Sequence, residues 1–329
     1  MTIVTLASGL QFISEPGSTV LDAALSQQVV IEHSCRTGRC GSCKAKVISG
    51  HVGLLREATA LSQQEAEAGW ILTCAHEARS DLQLDIEDLG ALAGIASKTL
   101  PARIASLDRL APDVLRVVLR LPPTAAFRFL AGQYIDLTSP TGVRRSYSIA
   151  SAAARAGQLE LQIRQVEHGE FSRYLFEQAK ANDLLRFVGP RGTFFLRPVA
   201  GLDLMLLCTG TGIAPMLSML AQVAEMPAEV QPASVTLYWG GRQSSDLYVD
   251  PAASLATLRY VPVLSRADAS WTGARGHVQD VLLAEVRNLA NAAVYACGSE
   301  QMIHGAQQKL LAAGLDPKRF FFDAFVSSN

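Results

Sequence analysis

Cys35-Arg36-Thr37-Gly38-Arg39-Cys40-Gly41-Ser42-Cys43 sets three thiols in one short stretch, with four and then two residues between them, and Cys74 adds a fourth farther on. Thiolates at that spacing are what a [2Fe–2S] cluster requires. Two irons bridged by sulfide take four thiolates arriving from different directions. No regular helix or strand can supply three of these, so the spacing predicts an irregular loop. Gly38 and Gly41 suit it, because the chain must bend tightly and turn its amides toward the sulfurs. Structural zinc is the competing chemistry, but zinc prefers paired C-x2-C hooks, and Cys40 with Cys43 makes the one such pair.

A second stretch, Cys208-Thr209-Gly210-Thr211-Gly212-Ile213-Ala214-Pro215, lies between an apolar run and a helical one. Glycines there let the backbone approach a pyrophosphate, and a helix N-terminus favours its charge. It is not the G-x-G-x-x-G fingerprint, because Pro215 occupies the third glycine position. Cys297-Gly298-Ser299 ends another apolar run, and on its own Cys297 reads as a buried strand-end thiol.

The rest of the chain must position these groups. Its 329 residues exceed one ordinary core and predict two or three domains. With 49% apolar and 18% charged residues it has the composition of a soluble globular protein, and a formal net charge of −1 argues against nucleic-acid or anionic-membrane partners. No basic N-terminal region precedes an apolar run, so no signal peptide is expected. The most apolar stretch, 202–220, is interrupted by Thr209-Gly210-Thr211-Gly212 and Pro215, and reads as strand, turn and helix rather than a membrane span. Of six cysteines, Cys208 and Cys297 fall outside the cluster spacing. Free and cluster-bound thiols point to a reducing cytoplasm.

Strands are expected at 2–6 and 10–14 around Ser8-Gly9. A helix follows through Val20, Leu21, Ala24 and Leu25, with Ser18 as its cap. After the cysteine loop come a strand over 44–48, a helix over 61–70, and a closing strand in which Leu82, Leu84 and Ile86 alternate with polar residues. Residues 90–101 have linker composition. From 102 the texture is antiparallel: in 115–121 the odd positions are apolar while Arg116 and Arg120 face the other way. Further strands are expected at 133–138, 145–150, 158–166 and 184–188, separated by turns such as Ser139-Pro140-Thr141-Gly142, Ala156-Gly157 and Gly189-Pro190, and together they suggest a small barrel. Beyond 198, strands at 202–208, 234–239, 258–264 and 293–297 alternate with helices at 214–225, 276–287 and 300–313, the pattern of a parallel sheet.

Residues 1–90 in this order resemble the β-grasp fold of plant-type ferredoxins, with Ile71-Leu72-Thr73-Cys74 similar to their fourth-ligand segment. Arg145-Ser146-Tyr147-Ser148 resembles the R-x-Y-[ST] flavin motif of the ferredoxin–NADP reductase superfamily. Alone, four such residues are an ordinary strand with an exposed arginine. Gly169-Glu170-Phe171-Ser172, Gly189-Pro190-Arg191-Gly192 and the 208–215 loop, similar to the superfamily's G-x-x-S turn, G-P-x-G turn and G-G-T-G-[IFV]-A-P loop, follow in the family's order.

The resemblance implies that Arg145 binds flavin phosphate, Tyr147 flanks the isoalloxazine and Ser148 hydrogen-bonds its redox centre, with Ser146 between them. It implies that Gly169 and Ser172 take a pyrophosphate and that Gln162, Ile163 and Arg164 border the flavin's other end. Gly210, Thr211, Gly212, Ala214 and Pro215 would hold the dinucleotide. Arg242 and Asp246, after Tyr238-Trp239-Gly240-Gly241, would meet its adenosine half; Asp246 favours NADH, while Arg242 leaves NADPH open. Cys297, Gly298 and Met302 resemble the C-G-[PS]-x-x-M segment beside the nicotinamide. Asp323 and Phe325 are candidates for the family's acidic neighbour and flavin-covering aromatic, against an equal reading of 321–325 as a closing core strand.

The whole chain thus resembles the reductases that join a ferredoxin domain (1–90) through a linker (91–101) to an antiparallel β-barrel FAD domain (102–197) and an α/β parallel-sheet NAD(P)H-binding domain (198–329). Stretches 121–125, 130–137, 144–150, 271–274 and 323–326 add to the likeness. The cofactors implied are a [2Fe–2S] cluster, FAD and NADH, with NADPH possible. Electron counting agrees, because a hydride carries two electrons, a [2Fe–2S] centre takes one at a time, and a flavin converts between them. The partner implied is an electron-accepting protein, either a pyridoxamine-phosphate dehydrase or an oxygenase component, met by a monomer in transient complexes. A non-catalytic flavin and iron–sulfur redox sensor is the reading from another class.

Overall fold

The computed structural model describes residues 1–92, 94–153 and 157–325, in two compact units, Met1–Ala96 and Ser97–Phe325. Ala156 of the expected turn and residues 326–329 lie outside the described residues.

The first unit contains β1 (Thr2–Thr5), β2 (Gln11–Ser14), α1 (Val20–Ser26), β3 (Lys44–Ser49), β4 (Val52–Leu54), α2 (Gln63–Glu67), β5 (Trp70–Leu72), β6 (His76–Ala78) and β7 (Leu82–Asp85). Five strands form one mixed sheet in the order β2-β1-β7-β3-β5, with β1 parallel to β7, while β4 and β6 pair separately. Period-2 alternation sends Val4, Phe12, Leu82 and Leu84 into a core shared with Val20, Leu21 and Ala24 of α1. The cap of α1 is Thr19, not Ser18: the Thr19 hydroxyl accepts from the Asp22 amide at 3.1 Å. The helix expected over 61–70 is only α2. A Ser62/Glu65 capping box starts it, and Gly69, at φ +85°, stops it before Trp70 enters β5.

The second unit opens with β8 (Lys98–Ala111), β9 (Val114–Arg120), β10 (Tyr134–Thr138), β11 (Arg144–Ser148), β12 (Gln158–Arg164), α3 (Glu170–Glu177) and β13 (Leu184–Arg191). These strands form a six-stranded antiparallel sheet, β11-β10-β13-β8-β9-β12. It curls back on itself where Ile149 bridges Leu161 and the Ala150 amide donates to the Glu160 carbonyl at 2.8 Å. Leu115, Val117, Leu119 and Leu121 point inward as the alternation predicts. The strand β8 starts at Lys98, inside the stretch read as linker. Pro101 is tolerated because β8 pairs only with β13 at that point; its pairing with β9 begins at Arg103.

The chain then forms β14 (Asp203–Thr209), α4 (Ile213–Glu225), β15 (Ser234–Gly241), β16 (Arg259–Leu264), β17 (Ala274–Arg275), α5 (Val278–Glu285), β18 (Ala292–Ser299), α6 (Glu300–Ala312) and β19 (Phe320–Phe325). All six strands are parallel, ordered β17-β16-β15-β14-β18-β19. The α4 helix packs on the face carrying Leu204, Leu206, Leu237 and Tyr295, and this core also takes in Ala131, Phe194 and Leu196 from the barrel segment. From β14 the chain runs outward through β15, β16 and β17, then returns to β18 on the other side. A ligand crevice therefore belongs at the carboxyl ends of β14 and β18.

Candidate cofactor sites

In the first unit the cysteine loop runs from α1 toward β3 without regular structure, as four converging ligands demand. Arg36, Gly38 and Gly41 all take positive φ, and a methyl on Gly38 would collide with the Glu57 carbonyl. Cys40, Cys43 and Cys74 are at most 2% exposed, whereas Cys35 is half-buried. The thiols are hydrogen-bonded in two pairs: Cys43 donates to Cys74 at 3.2 Å, and Cys40 is hydrogen-bonded to Cys35. Two pairs fit two irons, each taking two protein thiolates.

Amides of Thr37 and Cys40 donate to the Cys35 sulfur, each at 3.4 Å. The Cys40 thiol, against some desolvation and with help from these amides, holds Cys35 down to about 4, while Cys40 is pushed up. Likewise the Cys43 thiol, with the Gly38 amide and Arg56, lowers Cys74, and Cys43 is raised. One sulfur of each pair is thus the more acidic, and metal binding would release the protons the thiols carry.

In the second unit the expected flavin residues lie on β11 and β12, the strands that meet at the barrel's closure. Arg145 is exposed, its guanidinium donating to the Arg144 carbonyl at 2.8 Å. The Ser146 hydroxyl donates to Asp136 at 2.7 Å. Tyr147 packs edge-on against Phe171 of α3, with ring centroids 5.9 Å apart, and burial raises its phenol. Ser148 and Gln162 are buried, and the Ile163 side chain belongs to the barrel core.

Gly169 caps α3, and a methyl there would fall 2.7 Å from the Ser172 hydroxyl. That hydroxyl accepts from the Val166 amide and donates to the Gly169 carbonyl, both at 3.1 Å. Ser172 therefore braces the turn, and an anion there would be received by the amides of the first helical turn. Arg164 lies between charges, with Nε 3.5 Å from Asp113 and Nη1 4.0 Å from Asp246, close beside Gly210. Among the described residues its buried Nη2 has no hydrogen-bond partner, as befits a site that receives an anion.

The two loops at the sheet's switch point touch. Gly210, at φ +55°, begins a 3-10 turn over Gly210–Gly212 that leads into α4. A side chain on Gly212 would collide with the Cys297 carbonyl, and one on Gly298 with the Thr209 hydroxyl. Thr211 lies on the turn, while Ala214 and Pro215 pack inside the first turn of α4. Ser299 caps α6 by accepting from the Met302 amide at 3.3 Å.

Cys297 is fully buried, in register with Cys208 on one side and Asp323 on the other. Burial, then the Asp323 charge, pushes its thiol up. Asp323 is 8% exposed, and Phe325, paired in register with Ser299, is 40% exposed at the same carboxyl edge. Asp246 accepts from the Arg242 and Gln243 amides at 2.7 and 3.1 Å, so its carboxylate is fixed in the turn after β15. Spacing did not reveal Arg266, whose amide donates to the Arg242 carbonyl at 2.9 Å and sets a second arginine beside Arg242. Its signal was its place just past the end of the buried strand over 258–264.

These arrangements match known domains. The model of the 2Fe-2S iron-sulfur cluster binding domain matches residues 4–79, that of the oxidoreductase FAD-binding domain 101–196, and that of the oxidoreductase NAD-binding domain 206–308. The chain is 43% identical over 325 residues to the CDP-6-deoxy-L-threo-D-glycero-4-hexulose-3-dehydrase reductase of Yersinia pestis, covering 98% of this chain and 97% of that one. It is 30% identical to the reductase component 1 of terephthalate 1,2-dioxygenase of Comamonas sp, covering 98% and 96%. The crystal structure of the Amycolatopsis cytochrome P450 reductase GcoB matches with a TM-score of 0.73 at 29% identity, covering 99% of each chain. Among the described residues no helix is long and apolar enough to cross a membrane.

Proposed function

The chain belongs to the family of NAD(P)H-dependent iron–sulfur flavoprotein reductases with fused 2Fe-2S, FAD-binding and NAD-binding domains, and on that footing we propose that its electron acceptor is the pyridoxamine-phosphate dehydrase of CDP-3,6-dideoxyhexose synthesis. The observation carrying this choice is the 43% identity to a dehydrase reductase, against 30% to a dioxygenase reductase at equal coverage. When bound, FAD takes an electron pair from NAD(P)H and supplies single electrons to the 2Fe-2S centre.

The chain's task is placement. Cys35, Cys40, Cys43 and Cys74 hold the cluster. Arg145 neutralises flavin phosphate, Tyr147 flanks the ring, and Ser148 places a hydroxyl at its redox centre. Backbone groups of 210–212 and the start of α4 receive the dinucleotide's pyrophosphate. Cys297 and Asp323 line the nicotinamide's place, and Phe325 covers the flavin. No side chain serves as nucleophile. The fixed Asp246 carboxylate favours NADH, with Arg242 and Arg266 opposing. Four cluster thiols and two free ones, none of them in a disulfide, suit a reducing cytoplasm.

The test is reconstitution: the purified reductase with NADH and the dehydrase should drive turnover of the dehydrase's CDP-sugar substrate. Turnover with an oxygenase component and none with the dehydrase would transfer the assignment to the oxygenase class.

A further inference from the structure

Gln162, on the flavin side of the second unit, is held by a residue from its nucleotide-binding half. The Tyr248 hydroxyl donates to Gln162 Oε1 at 2.9 Å, across 86 residues of sequence. Tyr248 sits just past the Arg242–Asp246 turn, and its ring meets Trp239 edge-on, with centroids 5.2 Å apart and planes at 89°. Trp239 is itself fully buried, and its indole N–H donates to the Gly210 carbonyl at 3.1 Å. A rigid aromatic pair therefore joins the dinucleotide loop to the barrel strand β12. Gln162 is 5% exposed, so its carboxamide has little water to turn toward.

We propose that Tyr248 is a positioning residue for flavin reduction: by taking the carboxamide oxygen of Gln162, it turns the amide nitrogen toward the flavin as a fixed donor. A carboxamide has one acceptor oxygen and one nitrogen with two donors, so committing the oxygen decides which group a neighbour meets. The two flavin carbonyls and the N1 and N5 nitrogens of the oxidised ring are acceptors and require the nitrogen. Without the tyrosine hydroxyl the carboxamide can rotate and present its oxygen, which repels them. The ring contact with Trp239 survives loss of the hydroxyl, so the dinucleotide loop keeps its anchor. This inference rests on the flavin-reductase reading above.

The test is Tyr248→Phe in the full-length holoenzyme, with Gln162→Met, which keeps the side chain's length, as the second variant. Flavin stays bound, its visible bands shift, and the kcat for flavin reduction by NADH falls roughly two- to tenfold, the effect of one lost neutral hydrogen bond. KM for NADH stays unchanged. In the Gln162→Met background, Tyr248→Phe has no further effect on bands or rate. Wild-type bands and kcat in Tyr248→Phe, additive effects in the double variant, or kcat and KM moving together with a lowered Tm would each overturn the proposal. Failure of NADH to reduce flavin in the wild-type protein would instead defeat the underlying reading, so the two failures are distinguishable.

Discussion

Gly212→Ala isolates the dinucleotide site from the other two cofactors. Gly212 has ordinary helical dihedrals, with φ −61°, so alanine meets no backbone penalty there. The obstacle is purely steric. The added methyl would lie 2.7 Å from the carbonyl carbon of Cys297, closer still to its oxygen, and 3.1 Å from the Gly298 nitrogen, where ordinary contact begins at 3.4 Å. None of these atoms belongs to a flexible side chain, so the 210–212 turn and the end of β18 must part by about an ångström. Overpacking of this kind costs about 1–3 kcal/mol, a few degrees in Tm for a unit this large.

The functional cost is larger, because both sides of the crevice serve one ligand. An ångström of misplacement at a reacting centre costs on the order of 100-fold. Stopped-flow bleaching of the flavin by NADH should show that loss in kcat/KM, while the flavin spectrum at rest and the cluster's EPR signal after dithionite stay at wild-type values. NADH reduction within about twofold of wild type would refute the claim that these two loops form the nucleotide site.

Ser148→Ala should slow flavin reduction by NADH roughly tenfold, the cost of one lost hydrogen bond at the upper end of its range, with cluster content unchanged; unaltered hydride transfer would remove Ser148 from the mechanism. Cys74→Ser should abolish the cluster's visible and EPR signals and NADH-dependent cytochrome c reduction but leave ferricyanide reduction through the flavin, because every proposed flavin and nucleotide residue lies in the unit Ser97–Phe325. Retained cytochrome c reduction would show that electrons bypass the cluster.

Much of this molecule is legible in one dimension because its signals are short-range. The cysteine loop announces itself within nine residues, and the alternation in β9 predicted which side chains enter the barrel. Elements decided by distant pairing were hidden. The β4–β6 ladder is only three residues long on each side, and β8 runs through Pro101 because a neighbour is missing at that point. The helix over 61–70 was overdrawn because Gln and Glu are good helix formers up to Gly69, where positive φ ends the run.

The site divides the same way. Motif residues were named from the family's order, but what their side chains bond to was not readable. Ser172 braces its own turn, Asp246 is spent on two backbone amides, and Tyr248 reaches Gln162 from another module. Thr209 against Gly298, and Arg266 beside Arg242, are likewise products of strand register in a parallel sheet.

One polypeptide converts a two-electron donor into one-electron output through its own flavin and iron centre. Anaerobic titration of the purified protein with NADH, followed by visible absorption and low-temperature EPR, tests it directly. The expected result is FAD, iron and sulfide in the same chain, with NADH bleaching the flavin and then raising the signal of a reduced [2Fe–2S] cluster. A flavin that bleaches while the iron centre stays oxidised, or a protein holding zinc at its four cysteines, would contradict it.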